Sequence, residues 1–244
     1  MFGAICDRIG KSNFNEKQKT GGQDMNKTIQ KWEIDCVIYD CDGVMFDSLE
    51  ANRRLYCQIA SSMGREPLTE DELQYCHTHT VYDSLRYMFR GNEALEKKAV
   101  ELLKKEINFK DFIVYLRMEP NLLETLTALK ERGIKRAIST NRTTSMPHVM
   151  ERYGLTPYFE MVVTALDVLN PKPHPESVEK IIQAFNLDRH NIVYIGDSEV
   201  DRETALAAGV RFIAYKGSGL EADAAIDDHL ALLDFLSNGR RPQE

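Results

Sequence analysis

The stretch IYDCDGVMFDS, residues 38–48, decides how the rest of the sequence is interpreted. An apolar run ends in Asp40 and Asp42, which are followed by Gly43 and, four residues later, by Asp47. Carboxylates this close repel one another, so a cation, a proton or a backbone N–H has to make the arrangement tolerable. The stretch therefore predicts a strand that ends in a functional site.

The overall composition narrows the classes of protein to consider. The chain has 244 residues, 43% of them hydrophobic, and a formal net charge of −7. Such a chain can bury a core, which suggests one large domain or a core domain with a smaller insertion. The negative charge argues against a nucleic-acid partner, because nucleic-acid-binding proteins usually have a basic face. No apolar run is long enough to span a bilayer, so we expect no membrane partner. We expect a monomer or a homodimer, although the sequence does not determine which.

The N-terminal segment and the cysteines bear on location. Residues 1–31 are polar after Ile9 and lack the apolar run of a secretory signal, so we expect a loosely attached tail. The five cysteines are Cys6, Cys36, Cys41, Cys57 and Cys76. An odd number without a CxxC pair favours a reducing, cytoplasmic environment over a disulfide framework.

Apolar runs of strand length alternate with helical patterns along most of the chain. The predicted strands are residues 34–39, 134–139, 159–164, 192–195 and 210–215. Apolar residues at spacings of three and four predict helices at residues 122–132, 145–153, 176–185 and 201–208. Strands that alternate with helices predict an α/β fold with a doubly wound, Rossmann-like parallel sheet.

One long segment breaks this alternation. Residues 49–116 contain four successive helical patterns, at residues 50–63, 69–77, 82–89 and 93–107, without a strand between them. Ligands of such sheets bind at the carboxyl ends of the strands, so an all-helical insertion after the first strand is expected to cap that edge. The predicted organisation is a tail (1–31), an α/β core (32–48 and 117–244) and a helical cap (49–116).

Polar side chains follow four of the predicted strands. They are Asp40 and Asp42 after the first strand, Thr140 and Asn141 after the second, Lys172 after the third, and Asp197 and Asp201 after the fourth. Because the carboxyl ends of parallel strands meet at one edge, we expect these residues to form one pocket. Several carboxylates with a single lysine leave excess negative charge, which a hard cation such as Mg²⁺ would offset.

The remaining groups in this pocket suit a phosphate. Lys172 supplies a positive charge, and the Thr140 hydroxyl and backbone N–H groups near Gly43 supply donors. Once the negative charge is offset, Asp40 could attack the phosphorus and form an aspartyl-phosphate. Asp42, two residues further on, could protonate the leaving alcohol and later activate water.

The four motifs resemble those of haloacid dehalogenase superfamily phosphatases with a helical cap, such as phosphoglycolate phosphatases and β-phosphoglucomutase. They are D-x-D-G-V-x-x-D-S at residues 40–48, Thr140-Asn141, the lysine of PKPHPE, and G-D-S-x-x-D at residues 196–201. The resemblance implies that Asp40 is the nucleophile and Asp42 the acid/base. It further implies that Asp40, Asp42 (through its carbonyl), Asp197 and Asp201 hold Mg²⁺, and that Thr140, Asn141 and Lys172 bind the phosphoryl group.

Two positions depart from the family pattern. Cys41 stands where an aromatic or larger apolar residue is common, and strand alternation is expected to turn its side chain into the core. Pro171 precedes Lys172 where glycine is more usual, which alters how the lysine is presented. Neither change removes a reacting group, and an aspartate at position 42 argues against dehalogenation of organic acids.

Simpler interpretations compete with some of these motifs. Asp40-x-Asp42-Gly could begin a calcium loop, but the preceding element is a strand and the twelfth position is Ala51 rather than glutamate. The run Cys76-His77-x-His79 invites a zinc site, but no second ligand pair follows at the usual spacing. We therefore favour the phosphate and metal interpretation.

Three functions remain open at this point. The favoured one is a Mg²⁺-dependent phosphatase that acts on a small phosphorylated metabolite, such as a sugar phosphate or phosphoglycolate. A phosphomutase like β-phosphoglucomutase would share the nucleophile but shield the aspartyl-phosphate from water. A binding or regulatory protein would keep the site with negligible turnover. The sequence does not identify the substrate.

Overall fold

The chain folds around a six-stranded parallel sheet. A computed structural model describes residues 31–217 and 219–237. The strands are β1 (Cys36–Tyr39), β2 (Phe46–Asp47), β3 (Arg117–Met118), β4 (Lys135–Ser139), β5 (Met161–Val163), β6 (Ile192–Gly196), β7 (Arg211–Tyr215) and β8 (Ala224–Ile226). The main sheet has the order β5-β4-β1-β6-β7-β8 with every pair parallel, which confirms the predicted fold class.

Helices cover both faces of this sheet. The core helices are α5 (Leu122–Glu131), α6 (Met146–Arg152), α7 (Glu176–Phe185) and α8 (Glu199–Ala208). In β1, Val37 and Tyr39 pack in one hydrophobic cluster with α5 and α6, whereas Cys36 and Ile38 pack in a second cluster with α7 and α8. Burial on both faces explains why β1 reads as a continuous apolar run. Shorter 3₁₀ helices lie at Thr156–Tyr158, Arg189–Asn191 and His229–Phe235.

The four remaining helices form a separate layer between β2 and β3. They are α1 (Leu49–Ser62), α2 (Glu70–Thr78), α3 (Val81–Met88) and α4 (Glu93–Lys105), and a 3₁₀ helix at Phe109–Tyr115 follows them. Strands β2 and β3 pair antiparallel, with Asp47 opposite Arg117, so the chain leaves the core and returns to it side by side. We call this helical layer, residues 49–115, the cap.

The sequence analysis did not predict three of the strands. β2 and β3 have two residues each and β8 has three, so none is long enough to show an alternating pattern. The predicted tail falls almost entirely on residues 1–30, which lie outside the described residues. Within the described ranges, no helix has both the length and the apolar character needed to cross a membrane.

Candidate active site

Three carboxylates meet at the carboxyl edge of the sheet. Asp40 follows β1, Asp197 follows β6, and Asp201 lies in the first turn of α8. One oxygen from each lies within 4.8 Å of the others. Because β1 and β6 are neighbouring strands, the predicted convergence of Asp40 and Asp197 follows from the order of the sheet.

Gly43 allows the loop after β1 to approach Asp197. Its φ is +76°, a conformation that side-chain-bearing residues rarely adopt. A Cβ at this position would lie 1.8 Å from Oδ2 of Asp197. The backbone conformation of Gly43 therefore favours glycine, and any side chain there would displace the Asp197 carboxylate.

Lys172 joins two of the three carboxylates. Its Nζ donates to Oδ1 of Asp40 and to Oδ1 of Asp201, at 2.6 Å each, and to the hydroxyl of Tyr194 at 3.1 Å. The lysine is only 7% exposed, so it is not an ordinary solvated side chain of a proline-rich turn. The second oxygen of Asp40 has no hydrogen-bond partner among residues 31–217 and 219–237, and it stays available for chemistry.

Asn141 holds the backbone of Lys172 in place. The Asn141 side-chain amide donates to the Lys172 carbonyl and its oxygen accepts from the Lys172 N–H, both at 3.1 Å. This reciprocal pair links the end of β4 to the loop before α7. The side chain of Asn141 therefore supports the lysine.

Thr140 lies beside this pair at the end of β4. It is 3% exposed, and its Oγ1 accepts a hydrogen bond from the N–H of Arg142 at 3.1 Å. Within the described part of the chain the hydroxyl hydrogen has no acceptor. A buried hydroxyl with a free hydrogen suits the binding of an anion.

Asp201 is the most heavily bonded of the acidic groups. Its Oδ2 accepts from the N–H of Asp197 and of Ser198, at 3.3 Å each, and from the hydroxyl of Ser198 at 2.6 Å. Its Oδ1 accepts from Lys172 and from the Tyr194 hydroxyl, the latter at 3.1 Å. Ser198 and Asp201 form the capping box that begins α8, so one carboxylate both starts the helix and supports the site.

Asp42 faces an arginine that sequence analysis did not select. Arg142 donates from Nε to Oδ2 of Asp42 at 2.7 Å and from Nη2 to Oδ1 at 2.6 Å. The Asp42 side chain is 35% exposed and that of Arg142 only 15%, so the pair lies at the mouth of the site. Both carboxylate oxygens are thus engaged by a single guanidinium.

Burial and mutual repulsion control the charges of the acidic cluster. Burial raises the pKa of Asp197 to about 8, and the nearby Asp40 and Asp201 add to the effect. Burial likewise raises the pKa of Asp40, although Lys172 opposes it. Burial alone would lower the pKa of Lys172, but Asp201 and Asp40 outweigh it and raise that pKa well above its ordinary value.

The donor set of this cluster fits a divalent metal ion. Three carboxylates face one lysine, and all of the acidic donors are oxygen atoms. Hard divalent cations prefer oxygen ligands of this kind. Cys76, His77 and His79 belong to no comparable ligand cluster in the described ranges, so the zinc interpretation gains no support.

A cavity of about 240 Å³ opens between the cap and the β2–β3 ribbon. Its lining consists of Asp47, Leu49, Glu50, Asn52, Arg53, Glu70, Leu73, His77, Tyr115 and Arg117. Asn52 contacts His77, with 3.1 Å between Nδ2 and Nδ1. Burial lowers the pKa of His77, while the charges of Asp42 and Asp47 oppose that change.

Three site residues carry no signal that the sequence analysis used. Arg142 follows Thr140-Asn141 directly, so its position beside a strand end could be predicted. Its pairing with Asp42 could not, because the two residues are 100 positions apart in the sequence. Tyr194 lies inside apolar β6 and resembles a core residue. Ser198 would be recognised only once α8 is known to begin after it.

The fold and the site together define a class of enzyme, in which a parallel sheet presents an acidic, lysine-containing pocket at its carboxyl edge and a layer of helices is inserted between β2 and β3. Residues 37–215 match the family of haloacid dehalogenase-like hydrolases. The match covers most of the chain, and the protein belongs to this family of hydrolases.

The chain is similar to several relatives over most of their length. The chain is 30% identical over 187 residues to a phosphorylated carbohydrates phosphatase of Thermotoga maritima, covering 74% of this chain and 84% of the relative. It is 29% identical over 217 residues to a phosphoglycolate phosphatase of Agrobacterium fabrum, covering 82% and 91%. A crystal structure of a subfamily IA hydrolase of this superfamily, from Geobacter sulfurreducens, is 37% identical with a TM-score of 0.71, covering 85% and 99%.

Proposed function

We propose that the protein is a Mg²⁺-dependent phosphatase that hydrolyses the phosphate monoester of a small metabolite through an aspartyl-phosphate. The observation that carries this proposal is the placement of Asp40, with one oxygen bonded to Lys172 and the other unbonded within the described structure. The similarity to a phosphoglycolate phosphatase and to a phosphorylated carbohydrates phosphatase supports the substrate class.

In the first half-reaction, the free oxygen of Asp40 attacks the phosphorus of the bound ester. The P–O bond to the leaving group breaks, and the departing oxygen takes a proton from the carboxyl of Asp42. Asp40 then carries the phosphoryl group. Lys172 offsets the repulsion between the attacking carboxylate and the phosphate dianion.

In the second half-reaction, Asp42 takes a proton from a water molecule that attacks the same phosphorus. The bond between Asp40 and phosphorus breaks and releases inorganic phosphate, which restores the Asp40 carboxylate. Asp42 ends protonated, as it began, with a proton that comes from the water. No further reactant is needed.

The metal would be held by Asp40, Asp197, Asp201 and the backbone carbonyl of Asp42. When bound, it supplies positive charge that screens the phosphoryl oxygens from the surrounding carboxylates. Both oxygens of Asp201 also accept hydrogen bonds from the protein, so it would support the metal while it orients Asp197 and Lys172. The phosphoryl group itself would contact Lys172, the hydroxyl of Thr140 and the backbone N–H of Asn141.

The cap cavity is our candidate for the remainder of the substrate. A volume of about 240 Å³ suits a small organic group. Arg53 and Arg117 line it, and neither forms an ion pair with any residue that the structure describes. Glu50, also in the lining, is already paired with Arg54 at 2.6 Å. Asp47 and Glu70 also line the cavity, so the two guanidinium groups are its candidate contacts for a carboxylate or a second phosphate on that remainder.

The nucleophile is tested by Asp40→Asn. We expect phosphate release from p-nitrophenyl phosphate with Mg²⁺ to fall by at least about 10³-fold, because the amide is a poor nucleophile. EDTA should abolish the wild-type activity. The exposed Asp71→Asn variant in α2 is the matched control and should behave as wild type.

Full activity of Asp40→Asn, or full activity in EDTA, would refute the mechanism. Incubation with a hexose phosphate separates the two other candidate functions. Formation of an isomer without free phosphate indicates a mutase. Absence of turnover across a broad panel of phosphoesters indicates a binding or regulatory protein.

The cavity is tested by Arg53→Leu and Arg117→Leu. With 2-phosphoglycolate as the probe, we expect kcat/KM to fall about tenfold or more in each variant, since a charge-assisted hydrogen bond is worth about 1.5–3 kcal/mol. With p-nitrophenyl phosphate it should change little. Arg86→Leu removes a guanidinium that pairs with Asp83 on the surface of α3, and it serves as the control. Equal losses on both substrates would contradict the assignment.

A further inference from the structure

We propose that Arg142 is a positioning residue that fixes the acid/base carboxylate of Asp42 for proton transfer to and from the leaving-group side. The inference rests on the proposed function, in which Asp42 carries that proton. It concerns a residue that contacts neither the nucleophile nor the acidic cluster in the described structure.

The contact between the two side chains has the geometry of a fork. Nε and Nη2 of Arg142 reach Oδ2 and Oδ1 of Asp42 at 2.7 and 2.6 Å. Two parallel N–H···O bonds fix the plane of a carboxylate as well as its position. Within residues 31–217 and 219–237, the Asp42 carboxylate has no other hydrogen-bond partner. Nothing else in that part of the chain would hold a side chain that is 35% exposed.

Arg142 is itself fixed at three other points. Its N–H donates to Oγ1 of Thr140 at 3.1 Å, its carbonyl accepts from the N–H of Ala165 at 3.1 Å, and its Nη1 donates to Oγ of Ser145 at 3.3 Å. The guanidinium is mostly buried, with 15% of the side chain exposed. One residue therefore connects a proposed phosphate donor, Thr140, to the proposed acid/base, Asp42.

The fork is compatible with proton transfer. An ionised carboxylate has about four lone-pair sites, and the fork occupies one on each oxygen. Each oxygen of Asp42 thus keeps a site at which it can receive a proton from water or pass one to the leaving oxygen. The guanidinium holds the orientation of the carboxyl without taking part in the transfer.

The leaving group provides a readout specific to this role. An alkoxide is a poor leaving group and needs the proton of Asp42 as the P–O bond breaks. A p-nitrophenolate is stable as an anion and needs that proton far less. General acid catalysis contributes about 10²–10⁴-fold where it operates, so misplacing Asp42 should penalise alkyl esters selectively.

The test compares Arg142→Lys and Arg142→Gln with wild type on p-nitrophenyl phosphate and on glycerol 2-phosphate. We expect kcat on glycerol 2-phosphate to fall about 10- to 100-fold further than kcat on p-nitrophenyl phosphate. KM for p-nitrophenyl phosphate should change by less than about threefold, because the phosphoryl contacts remain. The lysine variant keeps the charge and loses the fork, so it should also show the selective loss.

A matched control removes a second fork far from the site. Arg189 makes bonds of 2.7 and 2.6 Å to the two oxygens of Glu179 at the opposite edge of the sheet, ahead of β6. Arg189→Lys should lower thermal stability without altering the ratio of the two activities. The far-ultraviolet circular dichroism of each variant verifies that it folds. If both Arg142 variants unfold, Ser145→Ala, which removes one support of the guanidinium, should show a smaller loss of the same selectivity.

The outcomes separate this inference from the proposed function. If folded Arg142 variants keep the wild-type ratio of alkyl to aryl activity, Arg142 does not position Asp42, although the phosphatase assignment stands. The same holds if Arg142→Lys still lowers the ratio in an Asp42→Asn background, where no acid remains to position. If wild type releases no phosphate from either ester, both the inference and the proposed function fail.

Discussion

Gly43 matters at the scale of a single residue because of the atom that it lacks. The absent Cβ leaves room for the Asp197 carboxylate, which would otherwise lie 1.8 Å away. Its φ of +76° also places the loop in a region that disfavours other residues. Space and conformation are separate requirements, and another glycine allows them to be tested separately.

We expect Gly43→Ala to lower phosphate release by at least about 100-fold, because Asp197 has to move. The matched control is Gly133→Ala, at φ +72°, where a Cβ would meet nothing within 4 Å. The control should lose about 1–2 kcal/mol of unfolding free energy from backbone strain and keep its activity. Kinetics and urea unfolding of both variants provide the comparison. Retention of full activity by Gly43→Ala would contradict the steric argument.

Single residues were predictable where they follow a strand and carry charge. Asp40 and Asp197 satisfy that condition, and the structure brings them together. The partners of these residues were harder to predict, because a hydrogen bond between residues far apart in the sequence leaves no periodic pattern. Arg142 and Tyr194 are recognised only when the strands that hold them have been placed side by side.

At the scale of elements, the capping boxes of two helices can be compared, because only one of them is part of the site. Both α2 and α8 begin with a capping box, formed by Thr69 with Glu72 and by Ser198 with Asp201. Each hydroxyl satisfies a backbone N–H that the first turn leaves free. In α8 the hydroxyl of Ser198 also donates to Oδ2 of Asp201 at 2.6 Å, so the capping box of this helix is part of the site.

Thr69→Ala and Ser198→Ala should therefore cost similar stability but different activity. Loss of a capping hydroxyl lowers the unfolding free energy by about 1 kcal/mol in each case. Only Ser198→Ala should lower kcat, since Asp201 loses one of the bonds that orient it toward Lys172 and Asp197. Urea unfolding and phosphate release measure the two effects. Equal activity of the two variants would show that Asp201 does not need this support.

Elements were predicted well where a pattern repeats several times. The helix predicted at residues 176–185 is α7, and all five predicted core strands begin within two residues of the observed starts. The strand predicted at 34–39 is shorter, since β1 begins at Cys36. The β2–β3 ribbon and β8 have too few residues for their pairing to be inferred, since their place depends on tertiary contacts.

At the scale of the whole molecule, buried His229 links the C-terminal region to the loop that follows β1. Its Nε2 donates to the carbonyl of Val44 at 2.9 Å, and its ring stacks on Tyr215 with centroids 4.4 Å apart. Burial lowers the pKa of His229 from 6.5 to about 4. The imidazole of His229 is therefore neutral in the folded protein near neutral pH.

The sign of the pH dependence follows from that shift. Below pH 6.5 the unfolded chain protonates His229 while the folded chain does not, so stability falls as the pH decreases toward 4. The loss attributable to this residue is about 3 kcal/mol, at about 1.4 kcal/mol per pKa unit. Urea unfolding at several pH values should give a shallower curve for His229→Gln, which keeps a donor but does not titrate. Parallel curves for variant and wild type would contradict the assignment.

The β2–β3 ribbon has a consequence for how this architecture can diversify. Asp47 and Arg117 face each other across the ribbon, so the two ends of the inserted segment are about 5 Å apart between Cα atoms. A cap of different length could be inserted between these two residues without altering the register of the main sheet, because β2 and β3 belong to a separate sheet. Under the proposed function, selectivity for the organic portion of a substrate and the reaction at phosphorus could then change independently, the first by exchange of the cap and the second by point substitution.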